Sequence, residues 1–307
     1  MNPRAEFAGR VVALQRELYR RSLADFFRAS WPVLEPTTPL LWGWHLDELC
    51  AHVQAQLEGW ARRQTDPSFT PAIQNLLATL PPGTLKSRAL VIATAWAWLR
   101  WPSIKMLALS GNPRIALRDS MLFRQLVTSS WFVETFRPSW RIRDDQDAKG
   151  SLGDTAGGVR LAMGWDARAI GEHVDWILVD DPHDPDDVES GATRANVCER
   201  WDASWANRVN DLASSIRTGI AQRTHERDWS AARIAEGWVH LDLPMLFELD
   251  RACVTPLGAP DGRALEGESL HPARFSDETI AKERARSASG AGPRFTRAVR
   301  RPRRVRW

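Results

Sequence analysis

The order of short apolar runs and helical stretches constrains this chain most. Strand-like segments at Asn75–Leu80, Lys105–Leu109, Trp176–Val179 and Ser214–Ala221 are separated by stretches with helical spacing of apolar residues, over about 86–98, 113–128 and 192–206. Strands that alternate with helices in this way build a mainly parallel sheet covered on both faces. Residues 140–165 read as short β pieces joined by Gly-rich turns. The amino-terminal part is helical: Phe7, Val11, Leu14, Leu18, Leu23 and Phe26 recur on one face over 4–30, with Trp31-Pro32 as the expected stop. A second helix is expected over His45–Gly59.

Two strand ends carry chemistry. The first runs into LPPGTLKS, Leu80–Ser87, at the start of a helix. A phosphate-binding loop needs inward backbone N–H groups, a lysine for the terminal phosphates and a hydroxyl for Mg²⁺. Lys86 and Ser87 supply the last two, where the helix N-terminus favours an anion. Leu85 stands where the general pattern has its second glycine, and a Lys-Ser pair after a Pro/Gly turn is also an ordinary capped helix start. The second strand end is WILVDDPHD, Trp176–Asp184. Four apolar residues followed by two carboxylates suit a nucleotide-hydrolysing sheet: Asp180 to hold the metal, mostly through water, and Asp181 to polarise the attacking water. The alternative is a polar strand exit with Asp181-Pro182 opening a turn. After Ser214–Ala221, Gln222 is placed to touch a γ-phosphate; the competing reading of 222–229 is a charged surface loop.

Charge separates the body from the tail. The net charge is +3, but Arg284–Trp307 holds nine arginines and no acid; removing those nine from 41 basic residues leaves 32 against 38 acidic, a body at −6. From about Ser287 the composition cannot bury a core, so disorder is expected there. Three widely spaced cysteines fit a reducing compartment better than a disulfide framework or a zinc site. The longest apolar stretch, Ala89–Leu99, is too short to span a bilayer, and no secretory signal is visible. The sixteen tryptophans are expected mostly in core or interface positions.

Taken in order, the segments resemble the large terminase subunits of tailed phages and prophages. The set comprises PPGTLKS, LALSGNPRIALRDSMLFRQLVTSSWF (Leu107–Phe132), GGVRLAMGWDARAIGEHVDWILVDDPHD, the pair Arg208 and Asn210, IAQRTHERD, HLDLPMLFE (His240–Glu248) and DGRALEGESLHPARF (Asp261–Phe275). The resemblance covers about Phe26–Phe275. It implies an α/β P-loop NTPase of the ASCE (RecA-like) kind, with a mainly parallel sheet flanked by helices and an N-terminal helical segment. It implies a motor that hydrolyses ATP with Mg²⁺ to drive double-stranded DNA into a procapsid. The implied partners are the portal protein, the small terminase subunit and further copies of the chain in a ring on the portal, in the bacterial host cytoplasm and not at a membrane.

Residue by residue, the resemblance implies that Pro82, Gly83, Thr84, Lys86 and Ser87 wrap the phosphates and Mg²⁺. Asp180 and Asp181 form the acidic (Walker B) pair, with Ser87, Asp180 and Asp181 as the metal set. Gln222 and Arg223 lie in the motif that couples hydrolysis to DNA movement. Trp44 and His45, in WGWHLDELC, either stack on adenine or pack the helix start. Many relatives carry an arginine inside the phosphate loop, where this chain reads Gly83-Thr84; Arg223 is the substitute, with Arg88 as the other choice. The expected organisation is a helical, adenine-side segment at 1–60, an ATPase domain at 61–250, a linker at 251–283 and a basic tail at 284–307. Nothing after Phe275 resembles the nuclease domain with which the family normally continues. A truncated or frame-shifted prophage copy and a native basic DNA-binding tail both account for that. The rival functions are a catalytically inactive remnant that only binds DNA or partner subunits, and another P-loop ATPase of the helicase-like, DNA-translocating kind.

Overall fold

The computed structural model describes residues 3–168, 171, 173–183, 190–249 and 254–288. Its centre is an eight-stranded sheet, formed by β1 (Asn75–Thr79), β2 (Lys105–Ser110), β3 (Ile142–Ala148), β4 (Ser151–Asp154), β5 (Val159–Gly164), β6 (Trp176–Asp180), β7 (Ile216–Ala221) and β8 (Val239–Asp242). The strand order is β3-β4-β5-β2-β6-β7-β1-β8. All pairings from β5 across to β8 are parallel, and β3 and β4 extend the β5 edge as antiparallel strands.

Strand periodicity explains why both faces are covered. In β6, Trp176 and Leu178 enter one apolar core while Ile177 and Val179 enter the other, and all four are buried. The first core also takes α2 (Leu23–Leu34), α3 (Trp44–Thr65), α4 (Lys86–Arg100) and α5 (Pro113–Val127). α4 is buried on nearly every side from Ala89 to Leu99, as a helix packed between a sheet and other helices must be. The opposite core is largely tryptophan. Trp229 lies 5.2 Å from Trp201 and 5.6 Å from Trp238, ring centre to ring centre, in edge-to-face contact. The buried Arg233 guanidinium sits 5.5 Å over both Trp201 and Trp229, and Asp202 and Glu236 meet its charge.

Some expected boundaries move. The single helix expected over 4–30 is two, α1 (Pro3–Arg21) and α2, because Ser22 leaves helical geometry and its side chain accepts the Asp25 N–H as a cap. Trp31-Pro32 does not end α2, which runs to Leu34 and closes with Glu35 N–H on the Trp31 carbonyl. The bond that Pro32 removes would have gone to the Arg28 carbonyl, and both residues are exposed. α3 runs past Gly59 to Thr65. The stretch expected as a helix over 192–206 is α7 (Gly191–Arg200) followed by a π-helical turn, Trp201–Trp205. Three further elements, α6 (Ser130–Phe136), α8 (Trp229–Ala235) and β8, and a last helix α9 (Asp277–Ala288), complete the chain's described part. Most of the basic tail lies outside the described residues. Among the described residues no helix is long and apolar enough to cross a membrane, and Cys50 and Cys198 are free thiols.

Candidate functional site

Parallel pairing brings the carboxyl ends of β1, β2, β6 and β7 to one edge: Thr79 faces Ala221, Asp180 faces Ile220, and Ser110 faces Asp180. Open α/β sheets bind ligands in the crevice outside this edge. Here it opens into a cleft of about 910 Å³, lined by Pro82, Gly83, Leu85, Lys86, Ser87, Asp180, Asp181 and Gln222, with a further wall formed by Trp31, Glu35, Thr38, Pro39 and Leu41.

The β1–α4 loop is shaped by two residues in left-handed backbone geometry, Gly83 at φ 78° and Leu85 at φ 63°. Glycine takes that geometry freely; leucine does not. Thr84 is fully buried and its hydroxyl donates to the Pro81 carbonyl at 2.8 Å. The Thr84 side chain therefore braces the loop from within and is not among the cleft-lining groups.

Lys86 and Asp181 meet directly. Lys86 Nζ is 2.6 Å from Asp181 Oδ2, with the lysine side chain 7% exposed. The other Asp181 oxygen accepts the Gln222 N–H at 2.8 Å, and the Asp181 carbonyl accepts the Gly111 N–H at 3.2 Å. Asp181 itself is left-handed, at φ 42°. A side chain on Gly111 would put a Cβ 2.7 Å from that carbonyl, so the close approach of the β2 and β6 ends requires glycine there.

The Ser87 hydroxyl lies beside the Asp180 carboxylate, whose Oδ1 is buried without a partner. Burial, then the Asp181 carboxylate beside it, push the Asp180 carboxyl up to about 7, with Lys86 and Ser87 pulling the other way. A buried, unpartnered carboxylate oxygen next to a second carboxylate and a serine hydroxyl fits a small divalent cation with oxygen ligands. Among the described residues no group of three or more His, Cys, Asp or Glu side chains is gathered to hold a metal, so any cation here relies on water or ligand oxygens for most of its shell.

Other expected residues are placed differently. His45 is fully buried, with its ring 4.8 Å from His271, and burial lowers it to about 3. Trp44 packs against Gly262, under the Arg263 guanidinium at 5.6 Å. Neither lines the cleft; both pack the start of α3, and the wall on that side comes from the end of α2 and the loop after it. Arg223 turns to the buried Asp228 at 3.1 Å and to the His225 carbonyl, because Asp228 also caps α8 and needs a counter-charge. Gln222 does line the cleft. Arg88 lines it too but is held by Glu35 at 3.0 Å and Asp119 at 3.4 Å.

Several cleft residues carry no sequence signal of their own. Glu35, Thr38, Asn112, Arg118 and Arg274 come from three separate places in the chain. His183 also lines it, and its Nε2 accepts the Trp229 N–H at 2.7 Å, tying the end of β6 to the start of α8.

No protein-family model matches the chain, and no curated protein matches it. Among solved structures it is similar to the crystal structure of the HK97 bacteriophage large terminase, with 10% sequence identity and a TM-score of 0.49. The similarity covers 89% of this chain and 54% of that one, so the chain spans about half the length of the protein it matches.

Proposed function

We propose that this chain is an ATP-hydrolysing motor of the large-terminase kind, using Mg·ATP to move double-stranded DNA. One observation carries the reading: Lys86, Ser87, Asp180 and Asp181, from two strand ends 100 or so residues apart in sequence, converge in one cleft at the carboxyl edge of a parallel sheet. The strand order supports it, since β7 with Gln222 at its tip lies between loop-bearing β1 and acid-bearing β6, as expected of the ASCE arrangement. The DNA, portal, small-subunit and ring assignments rest on the sequence resemblance.

On this reading the triphosphate lies along the β1–α4 loop, with backbone N–H groups and the α4 N-terminus facing its charge. The base lies toward Trp31, whose indole N–H is fixed on the Thr38 carbonyl at 2.7 Å. Ser87 and Asp180 would hold Mg²⁺, which would supply charge neutralisation for the phosphate oxygens. The incoming phosphate competes with Asp181 for Lys86. Once released, the Asp181 carboxylate would accept a proton from the water whose oxygen bonds to the γ-phosphorus as the bond to the bridging oxygen breaks and ADP leaves, with Gln222 lining the same cleft. Positioning and charge neutralisation supply most of the acceleration.

The test is Mg²⁺-dependent ATP turnover by the full chain, with Lys86→Ala and Asp181→Asn alongside. Turnover that falls about 100-fold or more in both variants supports the reading. Turnover unchanged by Lys86→Ala, or no ATP binding by the wild type, sinks it. ATP binding without turnover in the wild type identifies the inactive alternative.

A further inference from the structure

The β1–α4 loop has a neighbour from the far end of the described chain. Residues 245–247 pair with 267–270, through Phe247 N–H on Glu268 O at 2.9 Å and Leu270 N–H on Met245 O at 2.7 Å. The chain then turns at His271, whose carbonyl accepts the N–H groups of both Arg274 and Phe275. His271 is buried against His45, and Phe275 is buried against the loop: a Cβ on Gly83 would lie 3.0 Å from Phe275 Cζ and 3.5 Å from Arg274 Nε. This segment is therefore clamped on both sides of Arg274, which lines the same cleft as Lys86.

Arginines elsewhere in the cleft are already neutralised. Arg88 is shared by Glu35 and Asp119, and Arg118 lies on Asp119. Arg223, outside the lining, lies on Asp228. Arg274 is exposed and its guanidinium rests over its own neighbour Phe275, 5.8 Å from the ring centre; among the described residues it has no carboxylate partner. A guanidinium left without a counter-ion and held beside the Gly83 turn of the cleft is arranged for an anionic ligand.

We propose that Arg274 contacts the terminal phosphates of the bound nucleotide across Gly83, so that the segment leading out of the sheet reads whether the cleft holds a triphosphate or a diphosphate. This rests on the nucleotide reading of the cleft. It gives Arg274 the place expected of Arg223 or Arg88, and it makes the 267–276 segment a part of the site.

Isothermal titration of the full chain with a non-hydrolysable Mg·ATP analogue and with Mg·ADP tests it, using wild type, Arg274→Ala, Arg274→Lys and Lys86→Ala. Arg274→Ala is expected to weaken the triphosphate by about 10- to 100-fold, the range of one lost charge-assisted contact. Mg·ADP should change less than about 3-fold, and Arg274→Lys should recover part of the loss, since it keeps the charge but not the fork. Equal weakening of both nucleotides would mark a packing role through Phe275 and overturn the proposal, as would no change in either. If Lys86→Ala abolishes binding while Arg274→Ala is neutral, only the Arg274 assignment falls. If the wild type binds neither nucleotide, the nucleotide reading falls and takes Arg274 with it.

Discussion

Leu85 offers a test of the loop that needs no ligand. It is the residue before α4, at φ 63°, where the general phosphate loop has glycine. A non-glycine residue in that geometry is strained by about 1–2 kcal/mol. Its side chain is partly buried against the first core, which returns about half of the roughly 2 kcal/mol that a fully buried leucine contributes. Leu85→Ala loses that contact and keeps the strain, so it should destabilise the protein by about 1 kcal/mol. Leu85→Gly loses the same contact and relieves the strain, against about 0.5–1 kcal/mol for the greater freedom of glycine in the unfolded chain. The glycine variant should therefore be the more stable of the two by roughly 0.5–1 kcal/mol. Inside a right-handed helix the order is reversed, with alanine better by about 1 kcal/mol. Urea unfolding of the two variants at one pH decides it. Leu85→Ala proving more stable than Leu85→Gly would refute the left-handed assignment, and with it the turn that shapes the loop.

Other consequences concern the cores and titration. Gly219→Ala should destabilise by about 1–3 kcal/mol in urea, because its Cβ would sit 2.7 Å from the Trp229 ring, with Leu77 behind it; no measurable loss would mean that the ring has room to move. Thr84→Val should lower stability by about 1 kcal/mol, by leaving the Pro81 carbonyl unpaired, while Thr84→Ser retains it and both leave nucleotide affinity within about 3-fold. His45 is lowered to about 3 mainly by burial, then by His271. The unfolded chain therefore binds its proton first as the pH falls below about 6.5, and stability present at neutral pH is lost toward acid, by about 2 kcal/mol between pH 7.5 and 5. His45→Gln should flatten that slope; an unchanged pH dependence would remove His45 as its source.

Strand ends were the legible part of this chain, because a strand end is a local event. Trp176–Val179 followed by Asp180-Asp181 shows its apolar run and its carboxylates within six residues, and the structure ends β6 there. The Lys86 helix start is legible for the same reason. Rotation and tertiary approach were not. Whether Trp31 or Trp44 faces the cleft depends on how α2 and α3 turn against α4, and both carry tryptophan at helical spacing. The split at Ser22 depends on one side chain reaching the Asp25 N–H. Arg223 stands close to Gln222 in sequence, yet buried Asp228 draws it away; Arg274 stands far from Gly83 in sequence, yet the pairing of 245–247 with 267–270 carries it there.

Asp181 is where the ends of β2, β6 and β7 meet Lys86. It is the one left-handed residue at the acidic strand end, a geometry that costs roughly 1–3 kcal/mol and persists only where neighbours over-determine it. The neighbours are identifiable: Lys86 from the β1–α4 loop, the Gln222 N–H from the end of β7, and the Gly111 N–H from the end of β2. On the proposed reading a bound phosphate takes Lys86 out of that set. Two of the three anchors then remain, and both are backbone N–H groups of adjacent strand ends. Asp181 is linked directly to Gln222, and through it to the 222–229 turn, where Arg223 and Asp228 are paired and Asp228 caps α8. The same turn is gripped from the other side by His183, two residues beyond Asp181, on the Trp229 N–H. Asp181, Gln222, Arg223 and Asp228 thus join the cleft to α8 through a hydrogen bond, a peptide link, an ion pair and a helix cap. On the proposed reading Gln222 and Arg274 have separable effects, although both line the cleft: changing Gln222 should lower turnover and leave the discrimination between triphosphate and diphosphate, read by titration with each nucleotide, to Arg274.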